Sequence, residues 1–209
     1  NGNRLTHEDG NANSTTFTYD ALNRLSAETD PLGNIWSYAY DELGRRVSMT
    51  DANGDTILYE YDDASRLTNI DYTDNNDVNF TYDAGGRRTT MSDSTGTTSW
   101  AYDNLNRATA ITDPFGITVS YVYDSVGNLE RMLYPSKDIS YSYDANNRLT
   151  QVGDWTKNTN YQYDPLGRVT AALRSNGVNS AYTYDAVGRL TQLSHGNTEE
   201  QIASYIKRL

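Results

Sequence analysis

The chain has no cysteine among its 209 residues. A disulfide framework, a thiol nucleophile and a cysteine metal site are therefore all excluded. Histidine occurs only twice, as His7 and His195, at opposite ends and both in turn-like sequence. No cluster of His and Cys ligands can be assembled, so no metal and no cofactor is expected. Positive charge is also short: the formal net charge is −11. Nucleic acid needs a basic face to meet its phosphates, and this balance argues against it. No apolar run reaches membrane-spanning length, and no signal peptide opens the chain. No glycine-rich phosphate loop follows a strand and opens a helix, which leaves nucleotide binding without support.

What is there is one stretch repeated. The pair Tyr-Asp falls at Tyr19-Asp20, Tyr40-Asp41, Tyr61-Asp62, Tyr82-Asp83, Tyr102-Asp103, Tyr123-Asp124, Tyr143-Asp144, Tyr163-Asp164 and Tyr184-Asp185. The steps between neighbours are 21, 21, 21, 20, 21, 20, 20 and 21 residues. A period that narrow identifies a repeat architecture. Two residues before each Tyr stands another aromatic: Phe17, Tyr38, Tyr59, Phe80, Trp100, Tyr121, Tyr141, Tyr161 and Tyr182. A β-former commonly precedes that by two more, as in Trp36, Ile57, Val78, Val119 and Ile139. Residues at i, i+2 and i+4 share one face of a strand, so each repeat supplies a strand with one aromatic face. The residues between them, such as Thr18, Ala39, Glu60 and Thr81, suit the opposite face.

The Asp opens a turn, because its carboxylate accepts from backbone N–H groups just ahead of it. Three positions later stands a residue that tolerates the left-handed conformation: Asn23, Gly44, Ser65, Gly86, Asn106, Gly127, Asn147, Gly167 or Gly188. A second strand then leaves from the Arg, and a second turn closes the repeat, clearest in Asp30-Pro31-Leu32-Gly33 and Asp113-Pro114-Phe115-Gly116. Two strands of about six residues and two turns of about four account for the period. The first turn is constant in length and the second varies, from Asp51-Ala52-Asn53-Gly54 to Asp71-Tyr72-Thr73-Asp74-Asn75-Asn76 and Ser194-His195-Gly196-Asn197. Any specificity belongs to that variable edge.

In the second strand, apolar residues follow the Arg (Leu25, Leu67, Leu129, Leu149, Val169, Leu190) and recur three positions on (Met49, Ile70, Ile111, Met132, Val152, Leu193). A spacing of three does not lie on one face of a regular strand. Either a bulge intervenes or the sheet buries part of both faces. The arginines Arg24, Arg45, Arg66, Arg87, Arg107, Arg148, Arg168 and Arg189 form a further column. Stacked like charges need partners, which the turn aspartates or the tyrosine rings can provide.

The unit Tyr-x-Tyr-Asp-x-x-Gly-Arg-Leu-Thr, joined by Thr-Asp-Pro-x-Gly-Asn turns, resembles the YD repeat of the Rhs family. Tyr163-Asp164-Pro165-Leu166-Gly167-Arg168-Val169-Thr170 and Thr29-Asp30-Pro31-Leu32-Gly33-Asn34 carry the match, which extends over essentially all of residues 1–209 as a single array. Asn128 departs from it where the other eight repeats have Arg, and Arg46 and Arg88 stand where most repeats are aliphatic. The resemblance implies a strip of β-hairpins that coils into a hollow shell, as in polymorphic toxins, insecticidal toxin complexes and teneurins. In the toxins such a shell encloses a C-terminal toxic domain released by a distinct protease domain, and neither is recognisable here.

The expectation is an all-β chain of tandem hairpins of 20–21 residues in one continuous, coiled antiparallel sheet. Its expected role is structural: a scaffold segment of a larger secreted or cell-surface protein, partnered by other repeats and a cargo domain. The competing class is an adhesion module that presents the Tyr-rich surface to a glycan or protein. Catalysis is not expected. Each Asp holds the same periodic turn position, whereas a glycosidase pair of carboxylates is singular. Asp51-Ala52-Asn53-Gly54-Asp55 lacks the spacing of a calcium loop. The chain begins and ends inside a repeat: Asn3-Arg4-Leu5-Thr6 matches Asn147-Arg148-Leu149-Thr150, and Lys207-Arg208 stand where a tenth Tyr-Asp is due. It reads as a piece of a longer array whose edge strands favour self-association.

Overall fold

The computed structural model describes residues 2–74, 76–196 and 201–206, the last of these by backbone alone. The fold is all-β: twenty strands of three to seven residues, with no helix among the described residues. Cα packing divides the chain into two compact halves, residues 1–100 with 113–115, and residues 101–112 with 116–209. Within each half, consecutive strands pair antiparallel, each with the strand before and after it in sequence. Alternating aromatic and small polar residues build the strands, and the left-handed turn residues close them.

The strands Thr56–Tyr61 and Leu67–Asp71 show the register. Tyr61 stands opposite Leu67, Glu60 opposite Asn69, and Tyr59 opposite Ile70. Thr68 is therefore an extra residue, a β-bulge. The bulge shortens the three-residue spacing of Leu67 and Ile70 so that they face Tyr61 and Tyr59 in turn. Both explanations open from the sequence hold: a bulge intervenes, and second strands such as Leu25–Thr29 and Leu149–Gly153 are half-buried on both faces. The same slip falls at Ser26, Val47, Thr89, Glu130, Thr150, Thr170 and Thr191.

Burial alternates in aromatic strands such as Ser14–Tyr19 and Ile35–Tyr40. Along Ile35–Tyr40, Trp36, Tyr38 and Tyr40 are half-buried while Ile35, Ser37 and Ala39 are exposed. Full burial is rare: among the described residues it is reached only by Ala172 and Ser180. Within each half the described strands contact only their neighbours, so no second layer covers the aromatic face. Trp100 and Tyr102 are accordingly half-buried rather than enclosed.

Both histidines lie in strands, not turns. His7 sits in Thr6–Glu8, and His195 in Leu190–Gly196, which extends because Asn179 pairs across to Gly196. Asn197, Lys207 and Arg208 lie outside the described residues, as does Asn75 of the long second turn.

Candidate functional site

The first turn is built by its Asp. The Asp62 amide donates to the Arg66 carbonyl at 3.0 Å, and the Ser65 amide to the Asp62 carbonyl at 2.9 Å. Asp62 Oδ1 accepts from the Arg66 amide at 2.9 Å and Oδ2 from Arg66 Nε at 2.7 Å. This is a three-residue hairpin loop, a type I turn followed by one left-handed residue. All nine residues three places after the Asp take that conformation, with φ from 59° to 102°. Glycine and asparagine enter it at low cost, and Ser65 is held there by the bonds on either side.

The Arg then leaves its own repeat. Arg24 Nε donates to Asp20 Oδ2 at 2.7 Å, while its Nη1 donates to the backbone carbonyl of Asp41 in the next repeat at 3.0 Å. Its guanidinium carbon lies 4.7 Å from the centre of the Tyr40 ring. The Tyr40 hydroxyl donates back to the carbonyl of Leu25, the residue before the bulge, at 2.9 Å. One Asp, one Arg and the following Tyr thus staple two repeats together. Arg45 with Asp41, Asp62 and Tyr61, and Arg66 with Asp62, Asp83 and Tyr82, repeat the arrangement. Further along, Arg107 stacks on Tyr123, Arg148 on Tyr163, and Arg168 on Tyr184, at 4.3, 4.7 and 4.7 Å. The hydroxyls of Tyr19, Tyr61, Tyr82, Tyr123, Tyr143, Tyr163 and Tyr184 donate to the carbonyls of Arg4, Arg46, Leu67, Ala108, Leu129, Leu149 and Val169. Arg87 pairs with Asp83, Arg107 with Asp103, and Arg189 with Asp185, while Tyr102 closes its strand beside Asp103.

The departures are instructive. Asn128 bonds Asp124 Oδ2 at 2.9 Å, as the arginines do, but its amide reaches Asn147 Oδ1 at 3.2 Å instead of the Asp144 carbonyl. Tyr143 therefore keeps its hydroxyl bond, and no guanidinium among the described residues stacks on it. Arg46 and Arg88 turn back over the aromatic face, 4.8 Å from the Tyr59 ring and 4.4 Å from Trp100. A guanidinium covers a ring there as an aliphatic side chain would.

The second turn uses the same geometry. Asp30 Oδ1 accepts from the Asn34 amide at 2.9 Å, and Asn34 Nδ2 donates to Asp30 Oδ2 at 2.8 Å. Asn34 does what Arg does for its own Asp but is too short to bridge repeats. The spacing Asp-x-x-Gly-Asn already mirrors Asp-x-x-Gly-Arg in the sequence, and the repeat is in this sense two half-repeats. At Asp51, Oδ1 accepts from the amides of Asn53 and Asp55 at 2.8 and 3.0 Å, which closes the same kind of turn. Among the described residues no group of three acidic or histidine side chains is arranged for a metal ion.

In the first turns these bonds hold the Tyr-Asp carboxylates below the usual carboxylate range. At Asp62 the Arg66 side chain is the main cause, and at Asp20 it is the Arg24 amide. A carboxylate that is ionised and already filled with donors is poorly suited to passing protons. The arrangement supports cohesion between repeats.

A family model described as Teneurin YD-shell matches residues 55–202, and one described as RHS Repeat matches residues 1–35 and 19–56. Among solved structures, the crystal structure of TcdB2-TccC3-Cdc42 is similar at 17% identity and a TM-score of 0.61, covering 96% of this chain and 12% of that one. That of TcdB2-TccC3 without its hypervariable C-terminal region matches at 17% identity and a TM-score of 0.60, with coverage of 96% and 12%. At that identity the likeness is one of fold, and the chain spans about an eighth of the chains it matches. No curated protein sequence matches.

Proposed function

The chain belongs to the teneurin YD-shell family, with RHS repeats across its N-terminal portion, and from this we propose that it forms a wall segment of a β-shell that encloses or displays another domain of its parent protein. The observation that carries the reading is the staple. The residues that recur most regularly, Tyr, Asp and Arg, are used to join each repeat to the next. The role is mechanical, and no catalytic step is assigned to it. The parent is proposed to be secreted or displayed at a cell surface, with its other repeats and an enclosed C-terminal domain as partners.

Limited proteolysis of the parent protein tests this. The domain following the array should resist protease in the intact protein and become sensitive when two adjacent staples are removed, as in Arg45→Ala with Arg66→Ala. Equal sensitivity in both proteins refutes enclosure. The half-open aromatic face supports a second reading, in which the rings stack on sugars. Saturable binding to one member of an oligosaccharide panel, abolished by Tyr59→Ala, would favour that reading over the scaffold.

A further inference from the structure

The second turns change character along the chain. Through residue 117 they are acidic, carrying Asp30, Asp51, Asp55, Asp74, Asp93 and Asp113. The next three each carry a cation, Lys137, Lys157 and Arg174 in turn, with Asp154 retained in the second of them. The only lysines among the described residues, Lys137 and Lys157, line one open cleft of about 380 Å³ together with Arg174, Ile139, Val152 and Asn158. Three successive variable turns thus place three cations around one apolar floor, in a protein of net charge −11.

The cleft is built locally rather than left between side chains. Gly153 lies so close to the following turn that a β-carbon would collide with the Lys157 carbonyl and the Asn158 backbone. The Ser175 amide donates to the Asn158 carbonyl at 2.9 Å and the Asn158 amide to Ser175 Oγ at 3.1 Å, tying two turns together beyond their strands. Asp154, on the same turn, accepts from the Thr156 amide and hydroxyl and the Lys157 amide, each at 2.7 Å, and pairs with Lys137 at 3.0 Å. It thereby offsets one cation and leaves two. Lys157 and Arg174 make no ion pair among the described residues, and Arg174 Nη1 donates only to the Val178 carbonyl and Ser180 Oγ. Three other cations outside the Tyr-Asp motif are engaged: Arg131 with Asp138, and Arg46 and Arg88 on aromatic rings.

We propose that this cleft binds a small organic anion with an apolar body, its phosphate or carboxylate head between Lys157 and Arg174 and its body on Ile139 and Val152. Two uncompensated cations concentrate anions at this place on an otherwise repelling surface. A guanidinium and an ammonium together favour an oxyanion over a halide, and the apolar floor selects against inorganic ions.

Phenyl phosphate, benzoate and phenol, titrated separately against the chain and followed by amide chemical shifts, test the site. Expected are saturable shifts at Gly153, Lys157, Asn158 and Ser175 with the two anions and none with phenol. Lys157→Glu, an exposed position, should weaken anion binding at least tenfold while the remaining spectrum is retained. Arg4→Glu, a charge reversal remote in sequence in the other half, should leave it unchanged. Non-saturable shifts spread over the surface, equal binding by Lys157→Glu, or equal binding of phenol would each overturn the proposal.

Discussion

Asn128→Arg should stabilise the protein. In the wild type, the Asn128 amide bonds Asp124 and, in the next repeat, Asn147, but does not reach the Asp144 carbonyl or cover the Tyr143 ring. An arginine at this position can keep the bond to Asp124 through Nε, as Arg107 and Arg148 do in the flanking repeats. It adds a guanidinium over Tyr143 and a donor to the Asp144 carbonyl. A partly exposed cation–π contact contributes about 0.5–1 kcal/mol. A charge-assisted bond to a carbonyl adds about 1.5 kcal/mol at the lower end of its range. Ordering the longer side chain in place of an asparagine that is already held costs about 1 kcal/mol, and the neutral bond to Asn147, about 0.5 kcal/mol, is lost. The net gain is about 0.5–1 kcal/mol, which for a chain of this length raises the thermal midpoint by about 1–4 °C. Urea and thermal unfolding of Asn128→Arg, Asn128→Lys and the reverse change Arg66→Asn provide the measurement. Lysine cannot stack and fork in the same way and should gain less. The staple account is refuted if Asn128→Arg gains nothing and Arg66→Asn loses nothing.

Tyr40→Phe leaves the ring in place and removes only the bond to the Leu25 carbonyl, so a loss of about 1 kcal/mol in urea unfolding is expected. Trp100→Ala should cost about 2 kcal/mol, below the figure for an enclosed aromatic, because the ring is half-buried beneath Arg88; a loss above about 4 kcal/mol would show a covered face. The Tyr-Asp carboxylates of the first turns are depressed in the folded state, so their contribution is complete above the unfolded value of about 3.9 and disappears as pH falls through their folded values. The thermal midpoint should therefore be insensitive to these groups above about pH 5 and fall steeply below about pH 4, with Asp62→Asn flattening the acid limb. Added calcium or chelator should leave the melting curve unmoved, since the Asp51 oxygen that faces its loop is already occupied by two amides; a calcium-dependent rise of many degrees would refute that account.

Much of this protein is local chemistry written out nine times, and so it could be read directly. Alternation around Tyr59 and Tyr61 dictates a strand with one aromatic face. Asp62 followed by Ser65 dictates the turn, because a carboxylate can satisfy the amides ahead of it and only certain residues enter the left-handed region. Three features needed the partner strand. The bulge at Thr68 depends on which residue Tyr61 pairs with, and a spacing of three within one strand carries no record of that. The arginine column had two possible partners in the sequence, the aspartates and the tyrosines. The pairing satisfies both together, because the strand stagger carries Arg24 to the Asp41 carbonyl and the Tyr40 ring seventeen and sixteen residues away. How far the aromatic face is covered is likewise a property of what packs against it, and among the described residues no second layer of strands does so within either half, so its rings are only half-buried. The cleft follows the same logic. Lys137 and Lys157 are one repeat apart, and antiparallel pairing turns that sequence distance into adjacency at a single edge of the sheet.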